Sequence, residues 1–133
     1  IIATDYSARA IENSKKNAIA AGVADLIEFG VCDFADTEVP QGVPGVFFVN
    51  PEYGARLGEI KELEETYARI GDFMKQKCGG YFGYVFTGNL ELAKKIGLKA
   101  KRRIEFYTSK IDCRLFEYEL YSGSRSAPKK ETN

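Results

Sequence analysis

The sequence predicts an α/β protein: a mainly parallel sheet with helices on both faces, and an antiparallel hairpin at its C-terminal end. Three observations predict this. Strand-like and helix-like segments alternate from Ile1 to Gly97, the order that parallel sheets require. One long segment, Glu59 to Lys77, carries a helical stripe of Ile60, Leu63, Tyr67, Ile70 and Met74, spaced by threes and fours. Finally, residues 98–108 and 113–121 read as strands joined by Ser109–Asp112, which leaves no room for the crossover helix that parallel pairing needs.

The elements follow in order. Ile1-Ile2-Ala3-Thr4-Asp5 is an apolar run ending in an acid, a strand whose upstream partner is expected outside the sequence. Ser7 suits a helix N-cap, Tyr6 can staple onto Ile11 across it, and Gly22 suits the stop. Leu26 to Cys32 alternates as a strand and is followed by Asp33, and the proline- and glycine-bearing stretch 34–45 reads as a loop. Val46-Phe47-Phe48-Val49 is continuously apolar, as a central strand covered on both faces would be. It ends in Asn50-Pro51-Glu52-Tyr53-Gly54. After the long helix, Cys78-Gly79-Gly80 breaks the chain and Tyr81 to Thr87 is a strand. Asn89 then caps a short helix through Ile96, closed by Gly97. Residues 1–122 therefore read as one folded region, and 123–133 as a polar tail.

Composition narrows the function. The 133 residues are 44% hydrophobic and 29% charged, with 19 basic and 19 acidic side chains. That balance suits one globular domain or part of one and argues against a dedicated polyanion-binding module. No apolar run is long enough to span a bilayer, so no membrane partner is expected. The three cysteines are widely spaced and read as reduced thiols of a cytoplasmic protein. The chain has no histidine, which removes Ser–His and Cys–His nucleophiles and the common catalytic zinc sites; no metal ligands are assigned.

Ligands of open parallel sheets bind at the carboxyl ends of the strands. Three predicted strand ends carry polar residues: Asp5, Asp33 and Asn50. Asp5 can accept from ribose hydroxyls or serve as an N-terminal helix acid. Asp33, with Phe34 beside it, can meet an adenine amino group and ring or be a solvated strand end. Asn50 and a neighbouring carbonyl can together accept both hydrogens of an aromatic amine, with Tyr53 stacking on the base, or the segment can be a simple Asn-Pro turn. Lys99, Lys101, Arg102 and Arg103 read as a solvated strand edge.

Together these residues resemble class I S-adenosylmethionine-dependent methyltransferases, whose fold is Rossmann-like. The strings "ATDYSARAIENSKKNAIAAGV", "FFVNPEYGARLGE" and "FYTSKIDCRLFEYEL" look like the catalytic domain of THUMP-containing 23S rRNA guanine-N2 methyltransferases, long labelled N6-adenine DNA methylases. The resemblance covers residues 1–122 and implies S-adenosyl-L-methionine as cofactor, ribosomal RNA as partner, mainly through upstream modules, and methyl transfer to guanine N2. It places Asp5 on the cofactor ribose, Tyr6 near the adenine, Asp33 and Phe34 at the adenine, and Asn50, Pro51 and Tyr53 at the target base, with Asn50 also bordering the cofactor. Two departures stand out. Glu52 occupies the place of a second proline, and no glycine precedes Gly22, so the first strand and glycine-rich loop of the fold are absent. The chain alone is therefore expected to bind the cofactor poorly. Rival readings are an adenine-N6 methyltransferase, a dinucleotide-binding piece of an oxidoreductase, and a structural or RNA-associated domain without catalysis.

Overall fold

A computed structural model describes residues 1–54, 57–108 and 110–121. The polar tail expected at 123–133 lies outside the described residues. The chain packs as two compact units, Ile1–Val39 and the region from Pro40 onward.

The first unit contains β1 (Ile2–Asp5), α1 (Ala8–Ala20) and β2 (Glu28–Val31), with short 3-10 turns at Ala24–Leu26 and Phe34–Asp36. β1 and β2 run parallel, with Ile2 opposite Glu28 and Asp5 opposite Val31. Ser7 caps α1 as expected, its Oγ accepting from the Ala10 N–H at 3.2 Å. Ile11 and Ala18 form the buried face of α1. The Tyr6–Ile11 staple does not form to any extent, since Tyr6 is 77% exposed. The entry to the helix is fixed instead by the Asp5 carboxylate, whose Oδ1 accepts from the Ser7 N–H at 2.8 Å. β2 is shorter than its apolar run suggests because Leu26 belongs to the preceding 3-10 turn.

The second unit contains β3 (Val46–Val49), α2 (Leu57–Lys77), β4 (Phe82–Thr87), α3 (Leu90–Ala93, continued by a 3-10 turn to Ile96), β5 (Arg102–Thr108) and β6 (Ile111–Glu119). Its sheet has the order β3-β4-β6-β5. β3 and β4 are parallel, and β6 is antiparallel to both β4 and β5. The fold is thus α/β with a mixed set of pairings, and the C-terminal hairpin is present. Thr108 stands opposite Ile111, so Ile111 and Asp112 already belong to β6, not to the connection.

The later part of the helical stripe is buried as its spacing predicts: Tyr67, Ile70 and Met74 are at most 1% exposed, and Phe73 is buried with them, whereas Ile60 and Leu63 are partly buried. Val85, Phe116 and Tyr118 of the sheet, and Leu120 just after it, are buried as well. Phe47 packs against Phe73 with ring centroids 5.3 Å apart and the rings tilted by 49°. The other face of β3 departs from expectation. Val46 is 67% and Phe48 61% exposed, so this strand is not covered on both faces. β3 pairs only with β4 among the described residues, and α2 lies on the Phe47 side. The four-cation stretch is partly neutralised: Lys101 meets Glu119 at 3.2 Å and Arg102 meets Glu117 at 2.8 Å. All three cysteines are free, and burial pushes the Cys78 thiol up to about 11. That is the behaviour of a packing residue, not a nucleophile.

Candidate functional site

In the first unit, the parallel register puts Asp5 and the residues after Val31 at one carboxyl edge. The Cys32 N–H donates to the Asp5 carbonyl at 3.0 Å, so Asp33 follows immediately on the neighbouring strand. Each carboxylate is oriented by a backbone N–H: Ser7 on Asp5, and Ala35 on Asp33 Oδ1 at 2.9 Å. The Asp5 carboxylate has no other hydrogen-bond partner among the described residues, so its second oxygen remains available as an acceptor. Beneath this edge the Thr4 and Thr37 hydroxyls meet at 2.7 Å and tie the loop after β2 to β1. Phe34 opens the 3-10 turn and is partly buried, whereas Tyr6 stands in solvent.

In the second unit, Asn50 follows β3 directly and is exposed, Pro51 and Tyr53 are partly buried, and the Glu52 side chain is exposed. The Asn50 amide has no partner among the described residues. The turn is held from below. The Tyr67 hydroxyl donates to the Glu52 carbonyl at 2.9 Å and lies 2.7 Å from the Thr87 hydroxyl. A carbonyl only accepts, so Tyr67 spends its single proton on Glu52 and Thr87 donates to Tyr67. Thr87 accepts in turn from the Asn89 N–H at 3.1 Å. Tyr67 and Thr87 are both 0% exposed. Burial chiefly raises the Tyr67 pKa, against a lowering by the Thr87 hydrogen bond, which keeps the phenol protonated as a donor. Gly88 gives the turn its space: a Cβ there would come 2.8 Å from Tyr53 Cε2.

The structure therefore brings Asp5 and Asp33 together on one sheet edge, and Asn50, Pro51 and Tyr53 together in one turn. Sequence reasoning missed Tyr67, Thr87 and Gly88. A signal was present for the first: a tyrosine inside a buried stripe needs a partner for its hydroxyl. Among the described residues no group of His, Cys, Asp or Glu side chains could hold a metal ion, and no helix is long and apolar enough to cross a membrane.

Parallel strands whose carboxyl ends carry oriented carboxylates, joined in one chain to an Asn-Pro turn and an antiparallel terminal hairpin, have the architecture of a class I methyltransferase domain. Solved structures agree. The chain superposes on a possible methylase from Clostridium difficile with a TM-score of 0.82 and 25% identity, covering 94% of this chain and 33% of that one. For a protein described as a predicted N6-adenine-specific DNA methylase from Listeria monocytogenes the TM-score is 0.76 and the identity 32%, over 90% and 30%. Residues 1–117 match the UPF0020 family, the RMKL-like methyltransferase domain, and the chain belongs to that family. Among curated relatives, the ribosomal RNA large subunit methyltransferase K/L of Syntrophotalea carbinolica is 36% identical over 126 residues, 90% of this chain and 17% of that protein. The protein of the same name from Shewanella baltica is 35% identical over 121 residues, covering 91% and 17%. The chain thus spans about a sixth of the length of these relatives.

Proposed function

We propose that this chain belongs to an S-adenosyl-L-methionine-dependent RNA methyltransferase acting in the cytoplasm on an exocyclic base amine, guanine N2 of large-subunit ribosomal RNA. The observation that carries the reading is the Asn50–Tyr53 turn, with an unpartnered asparagine amide and a backbone anchored at Glu52 by Tyr67. The curated relatives named as ribosomal RNA methyltransferases support the substrate class.

The residues present fit the nucleoside end of the cofactor. Asp5 keeps one carboxylate oxygen free for ribose hydroxyls, and Asp33 and Phe34 suit the adenine. Tyr6, exposed as it is, can close over the ring only from the solvent side. When bound, the cofactor supplies a methyl group on a sulfonium sulfur. The chain's own task is placement, a large contribution in a bimolecular transfer. The Asn50 side-chain oxygen and the Pro51 carbonyl accept the two amine hydrogens and so fix the direction of the nitrogen lone pair. Proline cannot donate and holds φ, which keeps that carbonyl from turning. Tyr53 stacks on the base once it is drawn out of the helix. The Tyr53 ring is partly buried and lies beside Gly88.

The test is methyl transfer from labelled S-adenosyl-L-methionine to large-subunit RNA by the full-length protein, followed by mass spectrometry of the nucleosides. N2-methylguanosine is the expected product. N6-methyladenosine would move the assignment to adenine, and absence of any methylated nucleoside would leave only a structural or RNA-associated role.

A further inference from the structure

The second unit holds a cavity of about 410 Å³ between α3 and the β5–β6 hairpin, lined in part by Leu90, Lys94, Leu98, Arg103, Arg114 and Tyr118. None of the residues assigned above to the methyl-transfer site lines it. Its volume is that of a small-ligand site.

The charges in this cavity are unequal in availability. Lys94 is engaged by Glu91 at 3.1 Å. Arg114 is locked by Asp112 and lies 3.4 Å from Glu105. Arg103 has no carboxylate partner among the described residues. Its guanidinium instead sits over the Phe116 ring, 5.8 Å from the centroid. A second observation lies beside it. Tyr118 is 2% exposed, and its hydroxyl makes no hydrogen bond among the described residues. Among the described residues no buried side-chain oxygen or nitrogen lacks a partner, so this hydroxyl reaches solvent, and the cavity offers an accessible donor beside a cation that no carboxylate holds. Leu90, 40% exposed, and Leu98 supply an apolar wall. An anion joined to a flat apolar body matches this combination, and a nucleotide has that composition: phosphate for the arginine fork, nucleoside for the leucines.

We propose that this cavity binds one nucleotide of single-stranded RNA, with Arg103 and the Tyr118 hydroxyl on its phosphate and Leu90 and Leu98 against its nucleoside. The proposal rests on the RNA reading above and adds a substrate-positioning site to it. A net charge of zero does not oppose it, because an arginine without a carboxylate partner among the described residues acts locally.

The experiment titrates the chain with fluorescein-labelled hexauridylate and, separately, with uridine 5′-monophosphate. Arg103→Ala should weaken the hexamer about tenfold and lower the salt slope of binding by about one. Tyr118→Phe, which keeps the ring in the core, should weaken it about threefold. An Arg103→Ala protein that binds the hexamer like the parent overturns the proposal, as does a parent that binds no hexamer. Monophosphate bound as tightly as the hexamer also overturns it, since the site would then serve a free nucleotide. A chain that binds RNA through Arg103, from a full-length protein that transfers no methyl group, would sink the methyltransferase reading and leave this site standing.

Discussion

Replacing Tyr67 by phenylalanine removes a single oxygen from beneath the Asn50–Tyr53 turn and nothing from the apolar packing. The oxygen has two partners, the Glu52 carbonyl at 2.9 Å and the Thr87 hydroxyl at 2.7 Å. After substitution, Thr87 is left as a buried donor without an acceptor, because its environment is 0% exposed. A buried orphan of this kind costs about 1–3 kcal/mol, and the part-buried Glu52 carbonyl can recover some of its loss from water. The expected destabilisation is therefore about 2 kcal/mol, read from urea unfolding followed by circular dichroism. Adding Thr87→Val removes the orphan, so the double variant should lose about 1 kcal/mol less than the sum of the singles. Methyl transfer in the full-length protein should fall as well, since the Pro51 carbonyl is positioned through this anchor. A Tyr67→Phe protein within about 0.5 kcal/mol of the parent, with additive singles, would refute the inference that this hydroxyl holds the turn.

Other expectations follow from the fold. Glu117 is held by the Arg102 guanidinium and the Tyr84 hydroxyl, which pull its carboxyl from the ordinary 4.5 down to about 2. A depressed folded pKa gives stability that is present above the ordinary value and lost as pH falls toward 2. Unfolding measured across that window should show the loss in the parent and a flatter curve in Glu117→Gln; parallel curves would contradict the role. Gly71 lies where α2 meets the turn at Ile96, and a Cβ there would stand 1.9 Å from the Ile96 carbonyl oxygen. Gly71→Ala should therefore destabilise by about 1–3 kcal/mol, and a loss within the noise of a urea melt would show that the contact yields freely.

Much of the architecture was legible because it is local. The stripe from Ile60 to Met74 announces α2, Ser7 and Asn89 announce their helices, and the short link after Thr108 announces a hairpin. What escaped depends on partners distant in sequence. Val46-Phe47-Phe48-Val49 looks identical whether one or both of its faces are covered, so the exposure of Val46 and Phe48 could not be read from it. The Arg102–Glu117 pair exists only once the β5–β6 register is set. Asp5 and Asp33 could be set side by side from the sequence because parallel strands bring their ends to one edge, and Asn50 stands out because its turn is chemically unusual. Tyr67 and Thr87 do not, since the anchor links a helix, a strand end and a loop that meet only in three dimensions. The Ala24–Leu26 turn carries no glycine or proline to mark it, so its last residue, Leu26, reads as the start of the following strand.

The central claim is that Asn50 holds the reacting amine and does not build the fold or the cofactor's nucleoside pocket. The most direct measurement compares single-turnover methyl transfer with cofactor affinity by calorimetry, for full-length protein carrying Asn50 or Asn50→Ala. The account predicts a rate lower by about 10²–10³, the usual effect of removing one oriented polar group, with S-adenosyl-L-methionine bound as tightly as in the parent. Transfer at the parent rate, or a loss traced wholly to weaker cofactor binding, would contradict it.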